Sequence, residues 1–154
     1  MQIRSITHAD IPALFEVRVA THQNAMTLAE LARLGITPGS VAAMLGTTHA
    51  GWLCEDGERV VGFAMGNRET GEMWVIALLP DYLGRGIGSR LLRAVEEWLG
   101  EQGWDRIWLT TDPDVSLRAY TFYRRHGWVD DRIEGGDRYM VKHLKARAFN
   151  GGRP

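Results

Sequence analysis

The chain opens with a polar and apolar alternation, QIRSI at 2–6, which predicts a short strand because successive strand side chains face opposite sides. The period then lengthens. Ile11, Leu14, Phe15 and Val19 fall at helical spacing behind Thr7 and Asp10, a capping-box-like start, and predict a helix reaching about Gln23. A second helix is expected from Thr27 to Gly35. A third is expected from Thr37, with Pro38 at its favoured first position and an end near Gly46. From about Ala50 the period falls to two. WLCE, a turn at Asp56-Gly57, VVGFAMG, a break at Thr70-Gly71 and then EMWVIALL predict an antiparallel meander. EMWVIALL (72–79) is nearly all apolar, so it is expected to be buried on both faces at the centre of the sheet, and Pro80, with no N–H for the ladder, to end it.

Beyond a glycine-rich loop, Ile87, Leu91, Leu92, Val95 and Leu99 share one helical face, and Gly100 and Gly103 are expected to close that helix. RIWLTT (106–111) is the next strand, so residues 72–111 read strand, helix, strand and imply a right-handed parallel crossover. DPDVS leads into a helix through Tyr120, Phe122 and Tyr123 that ends by Gly127, and WVDDRI and DRYMVKHL form a hairpin joined at Gly135-Gly136. The fold class is α+β: a mixed central sheet of seven predicted strands, an antiparallel meander plus one parallel crossover, flanked by helices. Residues 1–145 are expected to form one domain, and 146–154 (ARAFNGGRP) a frayed tail.

Composition narrows the function. With 154 residues, 45% of them apolar, the chain can bury a core that needs no disulfide or metal staple. Eighteen Lys and Arg stand against nineteen Asp and Glu, a net charge of −1, which removes the long-range field of a general nucleic-acid or membrane-surface binder. Any anion site is therefore local. Cys54 is the one cysteine, which excludes an internal disulfide and a thiolate zinc cluster; it is expected in the core and fits a reducing compartment. No secretion signal opens the chain and no apolar run approaches the roughly 18 residues of a membrane span, so a soluble, cytoplasmic protein is expected. His8, His22, His49, His126 and His143 lack ligand spacing, so no metal is expected and most of them are placed at the surface. The six tryptophans are read mainly as core, with one or two lining a pocket.

Leu83-Gly84-Arg85-Gly86-Ile87-Gly88-Ser89 lies between a strand and an amphipathic helix, where backbone N–H groups lack partners and the helix dipole is positive. Such a place binds phosphate. Arg85 adds charge, and glycines let an anion approach the backbone; the alternative is a glycine-rich turn with no ligand. The triphosphate loop is excluded because it needs Gly-Lys-Ser/Thr and the lysines here are Lys142 and Lys145 alone. The dinucleotide fingerprint fits poorly, since the spacing is Gly84-x-Gly86-x-Gly88 and a meander precedes it, which argues against a nucleotide-dependent oxidoreductase.

In this loop the sequence resembles the GNAT superfamily of N-acetyltransferases, whose phosphate loop reads Gln/Arg-x-x-Gly-x-Gly/Ala between strand and helix. Leu83 stands where Gln or Arg is usual, a departure in a loop that works mainly through backbone amides. The family's later Asn-x-x-Ala-x-x-Phe-Tyr-x-x-x-Gly-Phe is followed by Ser116-Leu117-Arg118-Ala119-Tyr120-Thr121-Phe122-Tyr123-Arg124-Arg125-His126-Gly127-Trp128, with Ser in place of Asn. The two motifs occur in order on the expected elements, and the resemblance covers about residues 50–142.

The resemblance implies transfer of an acetyl group from acetyl-CoA to a primary amine of a small molecule or peptide. It implies pyrophosphate at Gly84, Arg85, Gly86, Ile87, Gly88 and Ser89, and backbone contacts from Ala77, Leu78 and Leu79 to the pantetheine arm on a bulged, splayed strand. Ser116 would reach that arm through water, from a helix face it shares with Ala119 and Tyr123. Tyr123 would protonate the departing thiolate, and Glu72 aligns with a glutamate that serves as base in some members. Spacing alone also allows Tyr123 as a core tyrosine and Glu72 as a solvated strand end. Asp112 and Asp114 are alternative acids, or caps of the following helix. The rival of a different class is a non-catalytic acyl-CoA-binding or sensory domain of the same fold. The acceptor pocket is expected from 20–50 and 130–140, and a homodimer remains open.

Overall fold

The computed structural model describes residues 1–23 and 25–145; the tail expected to fray, 146–154, lies outside the described residues. Its strands are β1 Gln2–Ser5, β2 His49–Asp56, β3 Arg59–Asn67, β4 Glu72–Leu78, β5 Arg106–Thr111, β6 Val129–Glu134 and β7 Asp137–His143. Its helices are α1 Ile11–Val19, α2 Leu28–Arg33, α3 Pro38–Met44, α4 Ile87–Glu101 and α5 Arg118–Arg125. The strands form one seven-stranded sheet in the order β1-β2-β3-β4-β5-β7-β6, antiparallel throughout except between β4 and β5. The predicted meander, crossover and terminal hairpin are all present.

Helix starts follow their caps. Thr27 accepts from the Glu30 amide and Thr37 from the Ser40 amide, each with the reciprocal bond of a capping box, and these open α2 and α3. At Thr7 the box with Asp10 opens a single 3₁₀ turn, His8–Asp10, and Pro12 enters the first turn of α1. The first helix ends at Val19 rather than near Gln23. In contrast, α4 runs through Gly100 to Glu101, because its apolar stripe, Ile87, Leu91, Leu92, Val95 and Leu99, stays buried to the last turn.

The sheet is covered on both faces near its centre. A Cβ at Gly66 would lie 2.8 Å from Val95 Cγ1, so the even positions of β3 face α4. Phe63 and Met65, on the other face, line one cavity with Leu14 and Phe15 of α1. Here β4 departs from expectation: it is the central strand, yet Trp74, Val75 and Ile76 are only partly buried. The helices above them leave an opening instead of a closed core.

One buried polar cluster ties α4 to the far half of the sheet. Trp128, fully buried, donates its indole N–H to Glu96 at 2.9 Å, and Lys142 Nζ bonds the other Glu96 oxygen at 2.8 Å. Each partner satisfies a group that would otherwise be desolvated and unpaired. Glu96→Ala should therefore lower stability by about 1–3 kcal/mol, whereas Glu97→Ala on the outer face should stay within about 0.5 kcal/mol of wild type. Urea unfolding followed by circular dichroism measures both, and equal stabilities would remove the cluster from the fold's support.

Candidate active site

The loop after β4 is built by two glycines and a proline. Pro80 closes the ladder and opens a 3₁₀ turn, Pro80–Tyr82, while the Leu79 amide still donates to Val61 O at 2.8 Å. Gly86 sits at φ 80° as the residue before α4, a conformation that costs a residue with a Cβ roughly 1–2 kcal/mol. The first helical bond runs from the Arg90 amide to Gly86 O, so the amides of Ile87, Gly88 and Ser89 have no acceptor within α4. Their shared direction and the dipole of the fifteen-residue helix make this end attractive to an anion.

Gly88 has a further reason to be small. A Cβ there would lie 3.4 Å from Phe122 Cζ, so a glycine at this position also lets α5 pack on the start of α4. The same packing brings Ser89 Oγ to 2.9 Å from His126 Nε2, a ring whose burial lowers its proton affinity. The sequence alone gives neither His126 nor Arg118 a place at this loop. Arg118 Nη2 lies 3.9 Å from where a Gly84 Cβ would stand, and the Arg85 guanidinium lies over the Tyr82 ring at 4.7 Å. Two cations thus flank the loop. The signal for Arg118 was its place inside the second motif, at a helix start.

Ser116 is not on the face of α5. The helix begins at Arg118, and Ser116 lies in the preceding turn, where its amide and its hydroxyl both donate to Asp114 Oδ1, at 2.9 and 2.7 Å. Asp112 likewise accepts from the Asp114 amide. These side chains satisfy local turns instead of capping α5. Ala119 and Tyr123 do share the helix. Tyr123 is 6% exposed, edge-on to Phe122 and Trp128 at 5.5 and 6.2 Å, and burial pushes its phenol upward, so it stays protonated.

The middle of β4 carries the opening. On its β3 side, Met65 pairs with Val75 and Gly66 with Met73, which leaves Trp74 as the extra residue of a bulge. On its β5 side the register has a single pair, Glu72 with Trp108, joined by the Trp108 amide donating to Gly71 O at 3.2 Å. After that pair the strands diverge. Because Leu79 N bonds Val61 O, antiparallel alternation turns the backbone of Leu79 and Ala77 toward β3 and that of Leu78 and Ile76 toward the gap. Of Ala77, Leu78 and Leu79, only Leu78 therefore offers its backbone there, and Ile76 joins it. The side chains of Ala77 and Leu79 are buried.

Glu72, the first residue of β4, is half-buried between Asn67 on β3 and Trp108 on β5, and burial raises its carboxyl to about 7. Its face of the sheet is the one that meets α1, since its partner Asn67 lies two residues from Met65. His49 pairs with Asn67 in the same row and is buried edge-on to Trp74 at 4.9 Å, an exception among histidines that are mostly exposed. Cys54 is in the core as expected, and among the described residues no cluster of His, Cys, Asp or Glu has metal-ligating geometry. Glu72 and the glycine loop sit at opposite ends of a strand about 20 Å long, so one ligand serving both must be elongated.

This architecture recurs in solved structures. The PaiA N-acetyltransferase from Thermoplasma acidophilum, crystallised with coenzyme A, superposes with a TM-score of 0.80 over 94% of this chain and 100% of its own, at 18% identity. In sequence, a mycothiol acetyltransferase from Nocardiopsis dassonvillei is 36% identical over 119 residues, 70% of this chain. An uncharacterised ycf52-like N-acetyltransferase from Prochlorococcus marinus is 36% identical over 77 residues, 46% of this chain. The matches span 34% and 39% of those two relatives' lengths. The sequence profile of the acetyltransferase (GNAT) family matches residues 19–128, from α1 through α5 to Trp128, and by that match the chain belongs to the GNAT family of acetyltransferases.

Proposed function

We propose that this protein is an acetyl-CoA-dependent N-acetyltransferase acting on a primary amine of a small molecule or peptide. The observation that carries the reading is the layout of β4: a helix N-terminus with free amides past one end, a half-buried carboxylate at the other, and unladdered backbone groups between. Acetyl-CoA is an elongated anion. Its pyrophosphate suits the amides of Ile87, Gly88 and Ser89 with Arg85 and Arg118 beside them, and its amide-bearing arm suits the exposed backbone edge of Leu78 and Ile76. Among the described residues no helix is long and apolar enough to cross a membrane, and a buried thiol at Cys54 fits work in the reducing cytoplasm.

The chemistry needs a neutral amine, a polarised thioester carbonyl and a proton for the leaving sulfur. Glu72 accepts a proton from the ammonium, directly or through water, and the freed nitrogen lone pair attacks the thioester carbon. A backbone N–H on the gap side of β4 holds the developing oxyanion. As the C–S bond breaks, the Tyr123 phenol supplies the proton that the CoA thiolate takes, and the amide product sheds its remaining proton to water. Burial suits each role: it keeps Tyr123 protonated and leaves Glu72 about half ionised near neutrality.

With Glu72 as base, the rate of the wild-type enzyme should rise through pH 7, where its carboxylate forms. Glu72→Gln keeps the shape and removes that limb. Its rate should fall roughly 10²-fold or more at neutral pH and recover in part above pH 9, as the amine deprotonates by itself. A mutant curve overlying wild type would assign Glu72 to the strand end only. For Tyr123, the change to Phe should lower kcat by roughly 10²- to 10⁴-fold while acetyl-CoA affinity, measured by calorimetry, stays near wild type. An unchanged kcat would take Tyr123 out of the mechanism.

A further inference from the structure

The helices α1, α2 and α3 do not close over the bulged part of β4. Between them lies a cavity of about 140 Å³ whose wall includes Leu14, Phe15, Phe63, Met65, Trp74 and Val75. Apart from Arg18, the side chains that line it are apolar, and partial burial lowers the proton affinity of Arg18 itself. The cavity lies on the face of β4 that carries Glu72. Val75 and Glu72 stand on the same face of β4, because their partners Met65 and Asn67 are two residues apart on β3, and the bulge turns Trp74 to that face as well.

From this geometry we infer that the acceptor is a primary amine borne on an apolar body of benzyl or isobutyl size, which fills the cavity while its nitrogen stays beside Glu72. This rests on the acetyltransferase reading and names its substrate class. An apolar cavity near 150 Å³ is large enough for a benzene ring. A polyhydroxylated or polyamine acceptor would lose its hydration against this wall and gain few hydrogen bonds in return. An apolar body gains the burial of its own surface and that of Phe15, Trp74 and Val75. The bulge that bends β4 thereby serves two ends, since it opens the strand to the acetyl donor and supplies the acceptor's wall.

The test is a turnover series read by thiol release from acetyl-CoA, with ethylamine, propylamine, isobutylamine and benzylamine set against ethanolamine and putrescine. Each added methylene should raise kcat/KM roughly fourfold until the cavity is filled, and ethanolamine and putrescine should fall at least tenfold below benzylamine. Val75→Phe should raise KM for benzylamine tenfold or more, with acetyl-CoA affinity unchanged by calorimetry. Phe15→Ala should shift the preferred acceptor to bodies larger than benzyl, a change of optimum that mere loss of packing does not produce. Preference for ethanolamine or putrescine, or no shift of optimum in Phe15→Ala, overturns the inference while leaving acetyl transfer intact. If acetyl-CoA binds but no amine turns over, saturation-transfer NMR with benzylamine decides: contact with the protein that Val75→Phe abolishes supports the cavity assignment, and no contact rejects it. Failure to bind acetyl-CoA at all would instead overturn the acetyltransferase reading beneath it.

Discussion

Parallel strands are held together by evenly spaced, slanted ladder bonds, and β4 and β5 share one register pair, Glu72 with Trp108, before they part. Everything at the site depends on that divergence. Had the ladder continued, the backbone of Ile76 and Leu78 would be consumed by β5 and the sheet would present no edge at its centre. The bulge at Trp74 turns β4 away, and the indole N–H of Trp108, donated to Thr70 O at 2.9 Å, fixes the last point of contact. The strand then runs on to Pro80 and to the N-terminus of α4, so that an unladdered strand edge leads to a set of helix amides without acceptors.

The charges are local, as a chain with net charge −1 requires. Arg85 and Arg118 approach the loop from its two sides, one laid on Tyr82 and the other reaching in from the start of α5. At the other end of β4 a carboxylate is held where water is scarce, and on α5 a phenol is packed among aromatic rings. The same physical term, desolvation, acts on both. It disfavours the charged form of each, so the phenol keeps its proton and the carboxyl titrates near neutrality.

The order of elements was legible because each carries a local signature: capping residues before α2 and α3, period-two runs in the meander, a two-glycine turn in the last hairpin. The glycine loop was legible for the same reason, being a contiguous motif at a helix start. What was not legible comes from tertiary context. The first helix stops at Val19 without a glycine or proline to announce it, and α4 overrides Gly100 because burial of its stripe outweighs the propensity of one residue. Ser116 turns away because Asp114, two residues earlier, captures both its amide and its hydroxyl. Which backbone groups of β4 face the gap depends on its register with β3, and the opening above Trp74 depends on three helices from elsewhere in the chain. No spacing along β4 encodes either.

The central claim, that one unladdered strand and the helix behind it hold acetyl-CoA, is tested most directly by a crystal structure of the protein with coenzyme A. The pyrophosphate should lie within about 2.7–3.2 Å of the amides of Ile87, Gly88 and Ser89, and the pantetheine arm should take hydrogen bonds from the gap-side backbone of Leu78 and Ile76. A pyrophosphate bound away from the start of α4, or an arm that leaves the edge of β4 untouched, would contradict it.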